Sequence, residues 1–420
     1  MWFGVDRSYH MGAATEWAVL SHPHGCCGGP DNYPGDPVTD PTYANWRAFI
    51  TNAANDWFWL GTPENGYTVA DPVRQNYVQF EFWNEPDNTG FWNPSGSGAD
   101  YQTLAERNQF LETYRQAYVA LRSILPSAKI AGPNYAAFDC GTGTGPCAAG
   151  GYVYEFLKFA RDNNVLPNIF GWHEILLPGP CCDHSYPQQP YVGPDFIARV
   201  DRVRQTMDSL GIPRIPIEID EWGPWSYYGK PATWIVSYAN FQRAGILQAA
   251  KACWNDATSG LSMCGTWNTN SPPNSVLMGN LDGLLTLVNT NASDPANFQK
   301  RSAWWAVKGY ADLVGRYRTV HADSNFDGMA AYDSATGQVR VVLGNVGGGS
   351  STTLKLYNMD AVTTKTSALV HVERIANSED APGSPSALPD VTLSITGGLL
   401  QIPISGSAQW DAYTITVTPQ

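Results

Sequence analysis

Tyr77-Val78-Gln79-Phe80-Glu81-Phe82-Trp83-Asn84-Glu85-Pro86 alternates apolar and polar side chains over its first half and is dense in aromatics, the pattern of a sheet strand. Pro86 has no N–H to give to a ladder and drives the residue before it towards extended geometry, so the strand stops there. Asn84 and Glu85 are therefore expected at a strand end, where barrels and open α/β sheets keep their chemistry.

Downstream, strand and helix patterns alternate. Apolar residues at three- and four-residue steps or their sums predict a helix from about Asp100 to Leu125, stopped by Pro126. A short strand at Lys129–Gly132 and a helix at Tyr152–Asn163 follow. Asn168 to Glu174 reads as a strand carrying His173 and Glu174 at its end. A helix at Asp195–Leu210, closed by Gly211, leads to the strand Arg214–Gly223, whose β-branched half is followed by Glu218, Asp220 and Glu221. A helix from about Thr233 to Ala252, a strand near Met263–Asn268 and a helix at Phe298–Leu313 complete the series. Such alternation is the signature of a parallel barrel or a doubly wound sheet. Upstream, Tyr43–Trp59 has a helical pattern, and Trp2–Asp6 and Glu16–Ser21 read as short strands.

The character changes after Gly315. Gln338–Leu343, Thr353–Tyr357, Ala368–Arg374, Val391–Ile395, Leu399–Ile404 and Ala412–Thr418 are short alternating runs separated by Gly-, Ser- and Pro-rich turns. Residues 1–315 are expected to form the α/β domain and residues 316–420 an all-β sandwich.

The 420 residues are 43% hydrophobic and 15% charged, a folded globular composition, with a formal net charge of -13. So acidic a chain excludes nucleic acid and an anionic membrane as partners, and no apolar run is long enough to span a bilayer. Sixteen Trp and 21 Tyr supply flat faces that suit sugar rings as well as cores. Eight cysteines include two adjacent pairs, Cys26-Cys27 and Cys181-Cys182, and two local pairs, Cys140/Cys147 and Cys253/Cys264. The local pairs are expected as disulfides and the adjacent pairs as oxidised too. With the Asn-Ala-Ser sequon at Asn291, they point to a secreted protein whose signal peptide is not among these residues. His22, His24 and His184 lie near the doubled cysteines, but no pair has the Cys-x2-Cys spacing of structural zinc, so no metal is expected.

Trp83-Asn84-Glu85-Pro86 resembles the acid/base strand of clan A glycoside hydrolases. That resemblance implies a (β/α)8-type barrel, no cofactor, and a second glutamate downstream, at a strand end and followed by an aromatic. Glu221, followed by Trp222, matches. Glu218 is the competitor, but it lies about 10 Å further back along an extended strand, so both cannot occupy the mouth of a barrel. Parity also favours Glu221, which shares a strand face with Ile217 and Ile219, since barrel interiors are filled by branched apolar residues.

Trp83–Asp87, Ile130-Ala131-Gly132-Pro133, Trp172-His173, Asp220-Glu221-Trp222 and the pattern around Trp304-Trp305 resemble, more narrowly, family 39 and its relatives, which also carry a β-sandwich. By that resemblance Glu85 is the acid/base, Glu221 the nucleophile and Asn84 the partner of the sugar 2-hydroxyl. It also implies that His173 lies beside the nucleophile, that Trp267 floors the sugar site, and that His22 and His24 contact the same sugar. The implied activity is retaining hydrolysis of an extracellular poly- or oligosaccharide. The rival is a catalytically inactive carbohydrate-binding protein on the same scaffold. It arises because only 76 residues precede Tyr77, too few for three complete units of a barrel that uses about 250 residues. The N-terminal units are therefore expected to be abridged or missing, leaving seven barrel strands with a gap between the one ending at Asn268 and the one at Trp2.

Overall fold

The computed structural model describes residues 41–59, 79–88, 92, 104–136, 138–141, 144–175, 191–223, 227, 229–251, 284–287, 298–320, 325–379 and 381–420. The expected strands at Trp2–Asp6, Glu16–Ser21 and Met263–Asn268 lie outside the described residues, as do His22, His24, Trp267, Asn291 and six of the eight cysteines. The other two, Cys140 and Cys147, form a disulfide.

Helix α1 (Ala44–Trp59) buries Trp46, Ile50 and Ala54, one every four residues, and packs this stripe on α2 (Leu104–Ile124). Trp46 Nε1 donates to the Thr113 carbonyl at 2.9 Å, which fixes the helix pair. Then come β1 (Gln79–Glu81), β2 (Lys129–Tyr135), α3 (Tyr152–Asp162), β3 (Ile169–Trp172), β4 (Glu174–Ile175), α4 (Pro194–Ser209), β5 (Ile217–Gly223), α5 (Pro231–Ala244) and β6 (Gln248–Lys251). All of their ladders are parallel, in the spatial order β1-β2-β3-β5-β6, with β4 continuing the β3 position along β5 beyond a break at His173. Ile130–Tyr135 and Ile169–Trp172 are buried throughout, as in a parallel sheet covered on both faces.

The sheet is strongly curved. Gln79 on β1 and Gln248 on β6, the outermost strands among the described residues, both hydrogen-bond Glu218 on β5, at 2.5 and 2.6 Å. The concave side therefore carries Gln79, Glu218 and Gln248, and the parity expectation is overturned. Glu218 and Asp220 turn inward, while Ile217 and Ile219 join the apolar cluster with Phe170, Trp172 and Phe196. The expected helix from Thr233 to Ala252 also needs correction. Gly245, at φ +62°, ends it in a left-handed cap, and Gln248–Lys251 becomes the fifth parallel strand. The expected helix Phe298–Leu313 begins later, as α6 (Ser302–Ala311), after β8 (Phe298–Lys300), which pairs with β7 (Leu285–Leu287).

From Arg316 onward the regular structure of the described chain is strand, apart from one 3-10 turn at Met359–Ala361. β9 (Arg316–Thr319), β10 (Phe326–Asp333), β11 (Gln338–Asn345), β13 (Ser367–Ile375), β14 (Ser386–Ala387), β15 (Val391–Ser394) and β17 (Ala412–Pro419) form one antiparallel sheet. β12 (Ser351–Leu356) and β16 (Leu400–Ser405) form a second, and Leu354, Leu356, Ile402 and Ile404 share one apolar cluster with Val341, Val370, Ile415 and Val417. β10 escaped sequence reading because Asp327, Gly328, Ala330 and Ala331 give no β-branched alternation. Helices α5 and α6 pack against this part. Arg243 forks onto Asp327 at 2.7 and 2.5 Å, and a Cβ at Gly309 would stand 2.5 Å from Thr414 Cγ2. A bulky side chain at Gly309 is expected to weaken that contact and to lower the thermal midpoint of Gly309→Leu.

Candidate active site

The carboxyl ends of β1, β2, β3 and β5 converge on one imidazole. The loop after β1 is sewn to the end of β2. Glu85 N–H donates to the Asn134 carbonyl at 3.1 Å, and Asp87 Oδ1 accepts the Ala136 N–H at 2.7 Å. His173 N–H donates to the Tyr135 carbonyl at 2.8 Å, so the end of β2 sets the heights of both Glu85 and His173. Glu85 itself sits at φ +46°, a left-handed conformation uncommon for a side chain of its size.

His173 is 2% exposed. Its Nδ1 lies 2.9 Å from Glu85 Oε1 and 3.1 Å from Glu221 Oε2, and its Nε2 lies 3.2 Å from Asp220 Oδ2. One oxygen of Glu85 and one of Glu221 come within 4.8 Å of each other. Asn88 Nδ2 donates to the other Glu85 oxygen at 2.8 Å, and Asn84 stands half-buried beside it. The structure thus brings Glu85, Glu221 and His173 into one place, with Asn84 next to Glu85 along the chain.

Neighbouring residues of a regular strand point to opposite faces, yet Asp220 and Glu221 both reach His173. The β5–β6 register shifts between Ile219 and Trp222, and this irregularity lets Glu221 share the side of Asp220. Strand parity therefore hid Asp220, which sequence reasoning left without a role. Glu81, four residues before Glu85, was also missed. One of its oxygens falls within 4.8 Å of both the Asp220 and the His173 donor atoms.

The charges are arranged around the imidazole. Burial alone would lower the His173 pKa, but the Asp220 and Glu221 charges and the hydrogen bonds to Asp220 and Glu85 hold it well above the usual histidine value. Burial, and then the Asp220 charge, push the Glu81 carboxyl well above the usual range. The two groups of three potential metal donors among the described residues, Glu81–His173–Asp220 and Glu85–His173–Glu221, both depend on this histidine. Both of its nitrogens already face carboxylates, which suits an imidazolium, whereas a metal needs an unprotonated nitrogen.

Glu218 is fully buried, and its carboxyl is held by the two amides named above. Burial, followed by the Asp220 charge, raises its pKa to about 7. Because the folded-state pKa lies above the unfolded value, Glu218 binds a proton in the folded chain that the unfolded chain has lost. Stability should therefore fall as pH rises from about 4.5 to about 7 and level off above that. Glu218→Gln is expected to flatten that slope and to raise stability at pH 8 by roughly 1–3 kcal/mol, as thermal melts of both proteins across pH 4.5–8 will show.

Glu174 takes no part in this cluster. It is buried against Arg199, which donates from Nε at 3.1 Å and Nη2 at 2.7 Å, and it accepts Trp172 Nε1 at 2.7 Å.

The chain is similar to known proteins in sequence and in fold. A 3-O-beta-L-arabinopyranosyl-alpha-L-arabinofuranosidase of Bifidobacterium pseudocatenulatum is 24% identical over 91% of this chain, and the chain spans only 37% of that protein's length. A solved structure from Neocallimastix frontalis shares the fold at a TM-score of 0.61 and 22% identity, over 90% of this chain and 76% of that one. A monomeric beta-xylosidase from Caulobacter crescentus does so at 0.55 and 17%, over 89% and 74%. The model of glycosyl hydrolases family 39 matches residues 49–279, more than half of the sequence, and the chain belongs to that family.

Proposed function

We propose that the protein is a retaining glycoside hydrolase that cleaves an extracellular poly- or oligosaccharide by double displacement, with Glu85 as acid/base and Glu221 as nucleophile. The observation that carries this reading is the approach of the two carboxyls to within 4.8 Å, oxygen to oxygen, across His173 Nδ1. Retaining enzymes hold their carboxyls about 5–5.5 Å apart, whereas inverting ones leave about 6.5–9.5 Å for a water between them. Glu85 protonates the glycosidic oxygen as Glu221 attacks the anomeric carbon, and the bond to the leaving group breaks as an ester to Glu221 forms. Glu85 then takes a proton from a water that attacks the same carbon, which releases the sugar and restores both carboxyls.

In this reading Asn84 holds the sugar 2-hydroxyl, and His22, His24 and Trp267 complete the sugar site from segments outside the described residues. The barrel occupies residues 1–315 and a β-sandwich residues 316–420. The Cys140–Cys147 disulfide supports secretion, since such bonds persist in oxidising compartments. The names of the Bifidobacterium and Caulobacter relatives make pentosides the first substrates to try.

A panel of p-nitrophenyl arabinosides and xylosides, with the first-formed sugar followed by proton NMR, tests the reading. The product expected first has the anomeric configuration of the substrate. An inverted first product overturns the double displacement, and binding of the sugars without turnover overturns the hydrolase in favour of a carbohydrate-binding protein.

A further inference from the structure

His173 is the hub of the site, and the residue behind it has no role in the reaction as described so far. Asp220 is 2% exposed, and its Oδ2 lies 3.2 Å from His173 Nε2. Among the described residues its other oxygen, Oδ1, has no hydrogen-bond partner. A buried carboxylate is costly unless its contact is used, and here that contact is the imidazole. On the opposite side of the ring, the single nitrogen Nδ1 faces Glu85 at 2.9 Å and Glu221 at 3.1 Å.

We propose that Asp220 is a positioning residue whose carboxylate fixes His173 as a doubly protonated imidazolium, a stationary positive charge held between Glu85 and Glu221. The proposal rests on the hydrolase reading above. Asp220 accepts from Nε2–H, which leaves Nδ1–H to be shared by the two carboxyls and to keep them at their close spacing. Among the described residues, the ionisable groups that face the ring are all acids. They are Glu81 from β1, Glu85 from the loop after it, and Asp220 and Glu221 from β5, with Glu218 behind Glu81 on the same concave side. Burial first, and then the Asp220 charge, push the Glu81 carboxyl well above the usual range, so of these two acids Asp220 supplies the counter-charge.

Loss of a fixed positive charge beside a carboxyl makes that carboxyl harder to ionise. In the pH profile of kcat/KM the acid limb follows the nucleophile, which must be ionised, and the alkaline limb follows the acid, which must be protonated. Asp220→Asn keeps an acceptor for Nε2–H but removes the anion. Both limbs are then expected to move to higher pH by about one unit or more, with kcat falling about 10–100-fold and KM changing little. A merely structural Asp220 would lower the amount of active enzyme without moving either limb.

Nitrogen NMR of the His173 ring provides a reading that needs no turnover. The wild-type ring should carry two N–H protons at pH 7, and in Asp220→Asn it should lose one at a pH at least about one unit lower than in the wild type. A neutral His173 in the wild-type protein at pH 7, or limbs that stay put in Asp220→Asn, overturns the proposal. Absence of any turnover by the wild-type protein overturns the hydrolase reading instead, and the ring measurement still decides whether Asp220 holds the charge.

Discussion

Glu221→Gln is expected to lower kcat on a p-nitrophenyl glycoside by about 10⁴-fold or more, because a carboxamide cannot form the glycosyl ester on which double displacement depends. Glu85→Gln should cost about 10²–10⁴-fold on an unactivated substrate, the usual worth of general acid–base help. Its loss should shrink on a dinitrophenyl glycoside, whose leaving group departs without a proton. Glu218→Gln is the contrast, since its carboxyl is fully buried and held by Gln79 and Gln248. It should stay within about tenfold of wild type. Steady-state rates of the three purified variants decide the matter. If Glu218→Gln were inactive and Glu221→Gln active, the nucleophile would be reassigned, with the barrel reading intact.

The second large effect is on stability. Glu174 follows His173 directly and begins β4, whose ladder runs to Trp222 beside the nucleophile. Its side chain is 3% exposed and that of Arg199 16%, so this is a desolvated ion pair. Among the described residues, Arg199→Met leaves the carboxylate with the Trp172 Nε1 hydrogen bond alone, and breaking a buried pair in this way costs about 3–5 kcal/mol. The double variant Arg199→Met/Glu174→Gln removes the stranded charge and is expected to recover most of that loss. Denaturant unfolding of wild type, single and double variants checks this. A single variant within about 1 kcal/mol of wild type would mean that water reaches Glu174.

The sequence by itself determined the α/β character of the first part, the change to strands beyond it, and the two glutamates worth testing. Each of those signals is local. The alternating aromatic stretch from Tyr77 leads to Glu85, the β-branched run Ile215–Ile219 leads to Glu221, and the spacing of Cys140 and Cys147 allows a short bridge. The helices at 44–59, 152–162 and 194–209 were legible for the same reason, since their apolar residues repeat with the helical period.

What the sequence misplaced depends on partners distant in the chain. Helix α5 ends at Gly245, and Gln248 becomes a strand, because β5 offers Glu218 and Ile219 as its ladder partners, a pairing that no local propensity encodes. Parity assigned the isoleucines of β5 to the concave side, but curvature brings Gln79 and Gln248 together over Glu218 and lodges acids there. Asp220 became visible as a site residue only once Glu218 was seen to face inward, which puts Asp220 on the same side, with the register shift in β5 bringing Glu221 to His173 beside it. A one-residue irregularity in a ladder decides which face a side chain takes, and it is set by the pairing of two strands, so tertiary structure alone could bring both acids to the histidine.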